Sequence, residues 1–411
     1  MNIYELLKTA TDRKASDLHL KVGSPPFLRI DGKLHPINSY PQISQEENQE
    51  LIDSIMNEGQ KKRFRITHEM DLAHSVPGLG RFRVNVFHQR GAVGVVFRVI
   101  PLAVKQIVDL NLPNVLESLS LTPRGLILCT GTTGSGKTTT LAAMINHLNK
   151  RRMNHIVTIE DPIEYIHTDA KSIISQREVG VDTVSFADAM RAVLRQDPDV
   201  ILVGEMRDHI TVETALQAAE TGHLVLSTLH TTDAVETIMR ILSFFPPHQQ
   251  KQIRLSLASS LKAIISQRLL PRSDGQGRVP AVEIMVSTPM IRECLIDEMR
   301  TKYILDAMKE GVSQYGMQSF DQSLMTLVKM NLVTYNEALE WATNPDEFTL
   351  RYSGIQSTSG LALQDMESVM NDRVAGASSG TESAQDKKTG GKSSPIKGLD
   401  DLFDMGNTYT S

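Results

Sequence analysis

The chain has 411 residues, of which 40% are hydrophobic and 22% are charged, and its net charge at pH 7 is −5. This length and composition indicate a globular protein with two or more domains, and the negative charge gives no general attraction to nucleic acid or to acidic membranes. With two cysteines the chain cannot form a disulfide framework or a four-cysteine zinc site, and without a long apolar run it is predicted to lack a transmembrane segment.

Residues 1–100 alternate short patterns of helical and strand periodicity, which predicts a small α+β domain. In chain order the predicted elements are a helix in MNIYELLKTATDRK, strands in DLHLKVG and PFLRIDGKLHPI, one charged amphipathic helix in SQEENQELIDSIMNEGQKKRF, and a hairpin in RFRVNVFHQRGAVGVVFRVI with Gly91 near its turn. PLAVKQIVDLNLP follows with prolines at both ends, so residues 101–112 are predicted to link two domains.

From Arg124 onward, strand patterns alternate with helix patterns, as in a parallel sheet covered by helices on both faces. The predicted strands are GLILCT, HIVTIE, DVILVGE and HLVLSTLH, and the predicted helices are TTTLAAMINHLNK, SFADAMRAVLRQ and TVETALQAAE. Residues 235–345 are predicted to be mostly helical apart from a strand in VPAVEIMV. Residues 113–354 are therefore interpreted as an α/β domain with a helical C-terminal part.

Beyond Gly354 the sequence is rich in small and polar residues and poor in large apolar ones. A segment of this composition does not bury enough surface to order itself, so residues 355–411 are predicted to be a disordered tail. Its end, IKGLDDLFDMG, carries spaced apolar residues. Two interpretations stay open, a segment that folds against a partner and an end without function.

GTTGSGKT, at residues 131–138, satisfies the phosphate-binding pattern G-x-x-x-x-G-K-[ST] and lies between a predicted strand and a predicted helix. Its glycines allow backbone N–H groups to point at phosphates, and the positive end of the following helix adds to the attraction. Lys137 is predicted to reach the β- and γ-phosphates of ATP, and the Thr138 hydroxyl to ligate Mg²⁺. The predicted nucleotide-binding residues of the loop are Gly131, Thr132, Thr133, Gly134, Ser135, Gly136, Lys137, Thr138 and Thr139.

Two acidic segments follow predicted strands downstream of this loop. DVILVGE ends in Glu205, has the form of a Walker B segment, and is predicted to hold the water shell of Mg²⁺. TIEDPIEY contains Glu160, Asp161 and Glu164, and three acids so close repel one another unless a cation or ordered water organises them. One of them is predicted to polarise the water that attacks the γ-phosphate. The alternatives are a solvated acid at a strand end and an exposed acidic turn.

TGHLVLSTLHT has His223 and His230 at the two ends of a predicted strand. His230 lies at the carboxyl end, where it is predicted to contact the γ-phosphate and to sense its loss. The alternative is a structural histidine at a strand end. A zinc pair is not favoured, because no further ligands occur at suitable spacing.

The predicted N-terminal hairpin carries Arg81, Arg83, Arg90 and Arg98. Strand alternation puts Arg81 and Arg83 on one face. Two interpretations are open: a solvated basic face, and arginine fingers that reach a nucleotide bound by another subunit.

The motifs SDLHL (16–20), GTTGSGKT, TIEDPIEY, LRQDPDVILVGEMRD (194–208) and TGHLVLSTLHT occur in one order over about 350 residues. With this set the chain resembles the secretion-superfamily ATPases, and most of all the PilT-like retraction ATPases of type IV pili. The resemblance implies a PAS-like N-terminal domain and a RecA-like ATPase domain, assembled as a cytoplasmic ring of six. It also implies a pilus platform protein of the inner membrane as partner, which would hold the chain at the membrane periphery, with a second retraction ATPase as a further candidate partner.

By this resemblance, TIEDPIEY is the Asp box, and Glu164 occupies the place of the catalytic glutamate. Glu205 sits in the Walker B position, and the His box includes His223 and His230. The spacing from Arg83 to Arg98 is similar to that of two N-terminal arginines that related motors insert into a nucleotide site.

The motifs do not give the direction of movement, because relatives that assemble pili or drive type II secretion share them. Two absences favour retraction: SDLHL begins only 16 residues into the chain, and two cysteines cannot make the paired CxxC motifs of many assembly ATPases. MIRECLIDE (290–298) keeps Ile291 and Arg292 of a segment linked to retraction but little else. A PilU-like accessory retraction ATPase, which GMQSFDQSL (316–324) also permits, and an ATP-dependent regulatory or scaffold protein therefore stay alternatives.

Overall fold

The computed structural model describes residues 2–30, 32–100 and 104–354, which form a six-stranded and a seven-stranded sheet with covering helices. The strands are β1 (Asp17–Lys21), β2 (Phe27–Ile30), β3 (Lys33–Pro36), β4 (Glu69–Val76), β5 (Gly80–Gln89), β6 (Ala92–Ile100), β7 (Gly125–Thr130), β8 (His155–Glu160), β9 (Ile173–Glu178), β10 (Val200–Val203), β11 (Leu224–Leu229), β12 (Leu261–Pro271) and β13 (Arg278–Val286).

The α-helices are α1 (Ile3–Asp12), α2 (Gln45–Ile55), α3 (Glu58–Thr67), α4 (Val115–Ser120), α5 (Lys137–Asn149), α6 (Phe186–Val193), α7 (His209–Glu220), α8 (Ala234–Ser243), α9 (Pro247–Ser260), α10 (Pro289–Ile296), α11 (Ile304–Glu310), α12 (Val312–Tyr315), α13 (Phe320–Lys329), α14 (Tyr335–Trp341) and α15 (Pro345–Tyr352). Short 3₁₀ helices occur at Val108–Leu110 and Glu298–Tyr303. Each helix within the described residues is too short or too polar to cross a membrane.

The N-terminal sheet is antiparallel and has the strand order β3-β2-β1-β6-β5-β4. Alternate residues of its strands point into one core, as Phe82, Val84 and Val86 of β5 do. Leu6 of α1 and Leu51 of α2 belong to the same core. This arrangement confirms the α+β character predicted for the first hundred residues.

The hairpin predicted around Gly91 is formed by β5 and β6. Arg90 and Gly91 make its turn with φ values of 50° and 79°. Two consecutive positive φ values match the right-handed twist of the paired strands. In this register Arg83 lies directly opposite Arg98.

Other local predictions for this domain need correction. PFLRIDGKLHPI forms two strands, β2 and β3, which pair with each other as a hairpin. SQEENQELIDSIMNEGQKKRF forms two helices instead of one, because a capping box at Asn57 starts a second helix. The Asn57 side chain accepts the backbone N–H of Gln60, and the Gln60 side chain accepts the backbone N–H of Asn57. β4 has no counterpart among the predicted strands.

The second sheet has the order β13-β12-β7-β11-β10-β8-β9, and every pair except β12–β13 is parallel. Successive residues of its central strands face two different cores. Leu126 and Leu128 of β7 pack with α6 to α10, whereas Ile127 and Cys129 pack with α4 and α5. Helices therefore cover both faces, which explains why these strands are apolar throughout. The predicted α/β fold class with a smaller preceding domain is confirmed.

The prediction of a mostly helical region from residue 235 is wrong for β12. Leu261–Pro271 is a strand of 11 residues between β7 and β13. Its apolar run fits a buried strand and a buried helix equally well, so periodicity does not distinguish the two structures. Pairing with β7 makes the segment a strand. β9, at the opposite edge of the sheet, is also missing from the predicted strands.

The described part of the predicted linker, residues 104–112, packs on the second sheet. Ile107 and Leu112 are each 1% exposed and share a core with α5. The exact domain boundaries stay predictions, and the predicted tail at 355–411 lies outside the described residues.

Glu283 of β13 connects the second sheet to α8. Its side chain is buried, and its Oε1 accepts the backbone N–H of Ala234, the first residue of α8, at 2.9 Å. Burial raises the pKa of this carboxyl to about 7, with the nearby carboxylate of Asp233 adding to the rise and Arg268 opposing it. The folded protein therefore favours the protonated carboxyl more than the unfolded chain does, up to a pH of about 7.

We expect Glu283→Gln to stabilise the protein at alkaline pH. The folded-state pKa lies above the ordinary value of 4.5, so the contribution of Glu283 to stability is present below that value and is lost as the pH rises through about 7. Glutamine stays neutral, and its amide oxygen still accepts from Ala234. The thermal midpoint of the variant should exceed that of the native protein at pH 8, and the difference should shrink towards pH 5. A difference that does not depend on pH would contradict this explanation.

Candidate functional site

A cleft of about 520 Å³ opens where the parallel strands of the second sheet end. Its lining includes Lys137 and Thr138 after β7, Glu164 after β8, Glu205 after β10 and His230 after β11. Parallel strands bring the residues that follow their carboxyl ends to one edge of a sheet. Four distant sequence segments therefore contribute to one site, as the sequence predicts for these five residues.

The loop between β7 and α5 depends on its glycines. Gly131, Gly134 and Gly136 have φ values of 141°, 80° and 96°, which favour glycine. A Cβ atom at Gly131 would lie 2.4 Å from the carbonyl oxygen of Gln267 and 2.5 Å from the hydroxyl oxygen of Ser135. Position 131 therefore has no room for a side chain, because the loop packs directly against β12.

Two groups of this loop fit an anionic ligand. Lys137 is 8% exposed, and its ammonium donates to the carbonyl oxygens of Gly131 at 2.8 Å and Thr132 at 3.0 Å. Burial lowers the pKa of Lys137, and the charges of Glu205 and Glu164 oppose this effect. The hydroxyl oxygen of Ser135 is buried and has no hydrogen-bond partner among the residues that the structure describes. A buried cation bonded only to carbonyls and an unpaired hydroxyl donor are suited to phosphate oxygens.

Cys129, near the end of β7 below this loop, is a core residue. Its thiol is fully buried, and burial raises its pKa to about 12. It stays protonated at neutral pH and supplies no nucleophile.

Glu205 is placed between a cation and a histidine. Its Oε2 accepts from Nε of Arg207 at 2.8 Å and lies 2.8 Å from Nη2 of the same guanidinium, and its Oε1 lies 3.4 Å from Nε2 of His230. Arg207 also lines the cleft but is absent from the predicted site residues. The signal for it was its position two residues after Glu205, too short a spacing to indicate a contact by itself.

The three acids of TIEDPIEY all line the cleft but differ in environment. Glu160 is 6% exposed, and its Oε1 accepts from Oγ1 of Thr158 at 2.6 Å and from Nε2 of Gln176 at 3.1 Å. Burial raises its pKa. Asp161 and Glu164 are exposed. Glu160 therefore supports the segment, whereas an exposed carboxylate such as Glu164 is accessible to a substrate water.

Two aromatic residues that are not among the predicted site residues connect the acidic segment to its surroundings, Tyr165 through its side chain and His167 through its backbone. The hydroxyl of Tyr165 lies 2.9 Å from Oγ1 of Thr139 on α5. The backbone N–H of His167 donates to Oε1 of Gln176 at 2.9 Å. Burial lowers the pKa of the His167 ring to about 4, so it adds no positive charge to the cleft at neutral pH.

Arg98, on β6 of the N-terminal sheet, also lines the cleft. Its Nε donates to Oδ1 of Asp17 at 3.0 Å, and Asp17 also lies 3.8 Å from Arg29. The carboxylate of Asp17 is 7% exposed, whereas the side chain of Arg98 is 67% exposed. Asp17 belongs to the SDLHL motif, so this motif holds an exposed arginine beside the phosphate-binding loop.

Arg83 and His223, which the sequence analysis also assigns to the site, do not line this cleft. Arg83 lies 3.9 Å from Asp71 and lines a neighbouring cleft. His223 precedes β11, and its Nδ1 is 2.9 Å from the carbonyl oxygen of Ala218 in α7. β11 separates the two histidines by roughly 20 Å, at about 3.3 Å per residue, so one strand cannot bring both to the same edge.

The donor set of the cleft fits Mg²⁺ bound together with a nucleotide. Among the described residues, no three His, Cys, Asp or Glu side chains are grouped as a metal site. Mg²⁺ in nucleotide sites takes most ligands from phosphate and water and few from the protein. Thr138 and Glu205 supply oxygens of that kind to the same cleft.

Known proteins with similar sequences and structures are ATPases of secretion and pilus systems. The family described as Type II/IV secretion system protein matches residues 2–310. The type IV pilus retraction ATPase PilT of Pseudomonas aeruginosa is 47% identical over 348 residues, which are 85% of this chain and 100% of PilT. The type IV pilus ATPase PilU of the same organism is 42% identical over 350 residues, 85% of this chain and 91% of PilU. A crystal structure of the pilus retraction motor PilT with bound ADP matches with a TM-score of 0.79 and 46% identity, covering 84% of this chain and 98% of that one.

We expect Gly131→Ala to destabilise the loop more than Gly134→Ala. Both substitutions have the backbone cost of a positive φ, about 1–2 kcal/mol, which corresponds to about 2–8 °C in thermal midpoint. A Cβ atom at 131 also clashes with Gln267 and Ser135, whereas one at 134 meets nothing within 4 Å. Thermal midpoints measured without nucleotide test this difference. Equal midpoints for the two variants would show that the close packing at 131 does not limit the loop.

Proposed function

The chain belongs to the type II/IV secretion system protein family, and we propose that it is the ATP-hydrolysing motor that retracts type IV pili, working as a ring of six. The observation that carries this proposal is the meeting of Lys137, Thr138, Glu164 and Glu205 in one cleft. A phosphate-binding loop, a metal-holding acid and an accessible carboxylate together suit hydrolysis better than nucleotide binding alone.

In this proposal the loop at residues 131–138 binds the phosphates of ATP. The ammonium of Lys137 exchanges the carbonyl oxygens of Gly131 and Thr132 for oxygens of the β- and γ-phosphates, and the Ser135 hydroxyl donates to a phosphate oxygen. Thr138 directly and Glu205 through water would hold Mg²⁺, which supplies charge neutralisation on the phosphates.

Glu164 is the proposed general base. Its exposed carboxylate takes a proton from water as the water oxygen bonds to the γ-phosphorus, and the bond from the γ-phosphorus to the bridging oxygen breaks, giving ADP and phosphate. Arg98 stabilises the negative charge that develops on the transferred group. His230 contacts the γ-phosphate, and its closeness to Glu205 links loss of that phosphate to the Glu205–Arg207 pair.

The mechanical step follows from the origin of these residues. Arg98 belongs to the N-terminal sheet, whereas Lys137, Glu164 and Glu205 belong to the second sheet and its loops. Hydrolysis and release therefore change a contact between two domains, which is a hinge type of movement. Around a ring of six, such movements are proposed to act on a platform protein of the inner membrane and to draw pilin subunits out of the filament.

An accessory retraction ATPase is the second candidate, because PilU is 42% identical over 85% of the chain. In α10, which contains most of MIRECLIDE, Ile291 is buried and Arg292 is exposed.

The primary and the accessory motor share the same ATPase chemistry. They differ in whether retraction continues without them.

Glu164→Gln is expected to lower kcat for ATP hydrolysis by about 10²–10⁴-fold, the usual contribution of a general base, and to leave nucleotide affinity unchanged. Steady-state phosphate release and titration with a fluorescent ATP analogue measure the two quantities. Glu160→Gln is the matched control, because Glu160 lies in the same segment but is buried and already hydrogen-bonded. Full activity of the Glu164 variant would refute the assignment, and a larger loss at Glu160 would move the base to that residue.

Deletion of the gene is expected to give cells with excess pili that do not retract, which imaging of labelled filaments detects. Complementation with the Glu164→Gln variant should fail, because the motor then lacks its base. Absence of filaments in the deletion strain would overturn the retraction proposal. Retraction that fails only under load would favour the accessory motor, and pili that behave normally while the purified chain shows negligible turnover would favour a regulatory or scaffold role.

A further inference from the structure

The N-terminal sheet also contacts the acidic segment of the cleft through Arg81. We propose that Arg81 is a positioning residue, which holds the loop that carries Glu164 through the carboxylate of Glu178 and thereby makes ATP hydrolysis depend on the placement of the N-terminal domain. This inference deepens the proposed function and rests on it for the role of Glu164. Arg81 itself does not line the nucleotide cleft, in contrast to Arg98.

One carboxylate oxygen joins the two domains. Nη2 of Arg81, on β5, donates a short hydrogen bond to Oε2 of Glu178, the last residue of β9. The same Oε2 accepts the backbone N–H of Ile163 at 3.1 Å. Ile163 directly precedes Glu164 in the chain. The N-terminal sheet is therefore one guanidinium and one carboxylate away from the backbone next to the proposed base.

Both partners of this contact are held from their other sides. The backbone N–H of Glu178 donates to Oδ2 of Asp182 at 2.8 Å, and Nη1 of Arg81 donates to Oγ of Ser75 at 3.3 Å. The Arg81 side chain is 18% exposed and that of Glu178 is 4% exposed. The pair has little freedom to re-form in another geometry, so its bonds depend on how the N-terminal sheet sits against β9.

Burial makes this pair responsive to domain position. A buried carboxylate that loses its cation is strongly unfavourable, because the charge stays uncompensated in a poorly solvated place. When the N-terminal domain moves away, Glu178 must recruit water or turn from its position. Either change weakens its bond to Ile163 and releases the backbone beside Glu164. The loop is therefore held in one geometry only while Arg81 is seated on Glu178.

This arrangement predicts an effect on turnover without an effect on binding. Lys137 and the loop at 131–138 are not touched by Arg81, so phosphate binding does not depend on the pair. Arg81→Gln and Glu178→Gln should each lower kcat by about tenfold or more, while KM and the affinity for a fluorescent ATP analogue change less than about twofold. Arg81→Lys keeps the charge and should restore part of kcat, which a loss of packing alone would not explain.

The double variant Arg81→Gln with Glu178→Gln tests whether the two residues act as one unit. If they do, its kcat is no lower than that of the poorer single variant. Arg65→Gln is the matched control, because Arg65 is an exposed arginine on α3 of the same domain and its replacement removes the same charge. Its kcat should equal that of the native chain. Thermal midpoints of all variants are measured alongside, and Arg81→Lys supplies the comparison if Arg81→Gln does not fold.

Unchanged kcat in Arg81→Gln, or in Arg81→Lys where Arg81→Gln does not fold, or strict additivity in the double variant, would overturn the inference. So would a loss of nucleotide affinity as large as the loss of kcat. The assay uses purified full-length protein and reports hydrolysis alone. If cells retract pili normally without the gene, the proposed function fails, while the comparison of kcat values still decides whether Arg81 positions the loop.

Discussion

Parallel pairing of β7, β8, β10 and β11 is the constraint on which the rest of this protein depends. Each of these strands ends at the same edge of the sheet, and each is followed by a segment that contributes to the cleft. The burial of the strands' apolar residues on both faces fixes the positions of four loop beginnings. The geometry of the cleft is therefore a consequence of core packing.

The charged side chains around the cleft differ in burial and in hydrogen-bond partners, and these differences suit them to different roles. Lys137 is buried and bonded to carbonyl oxygens, and no carboxylate of the described residues pairs with it and competes with a phosphate. Glu160 is buried and accepts two side-chain hydrogen bonds, Glu205 is paired with Arg207, and Glu164 is open to water. Three acids of the cleft thus lie in three different environments, each of which suits a different task.

The N-terminal domain contributes to the site through two ion pairs that differ in the burial of their arginines. In the first, the buried partner is Asp17 and the exposed partner, Arg98, is directed to the cleft. In the second, both Arg81 and Glu178 are largely buried, and the contact ends at a backbone N–H of the catalytic segment. In the proposed function, the first pair presents a cation to the nucleotide, and the second conveys the position of the N-terminal domain to the loop. Together the two pairs explain how a small domain that precedes the phosphate-binding loop in the chain contributes to the same site.

Much of this protein could be predicted from the sequence by itself, because the features concerned are local. The alternation of strands and helices after Arg124, the glycines of the loop at 131–138 and the acids at strand ends follow from short-range patterns. The hairpin turn at Gly91 is of the same kind, and so is the ending of β10 near Glu205. Periodicity failed where pairing decides, as in β12 and β9, whose residues fit more than one secondary structure.

Contacts between distant segments were decided only by the tertiary structure. The Tyr165–Thr139 contact and the Arg81–Glu178 pair have no sequence spacing that predicts them, since these partners belong to separate elements that packing brings together. The same reason explains why His223 and Arg83 are away from the cleft: a strand separates the first from His230, and the second faces Asp71. Sequence determines which chemical groups are available and which local shapes they take. The burial of those groups, and therefore their charge state and their role, is determined by long-range packing, because it depends on residues that are far apart in the chain.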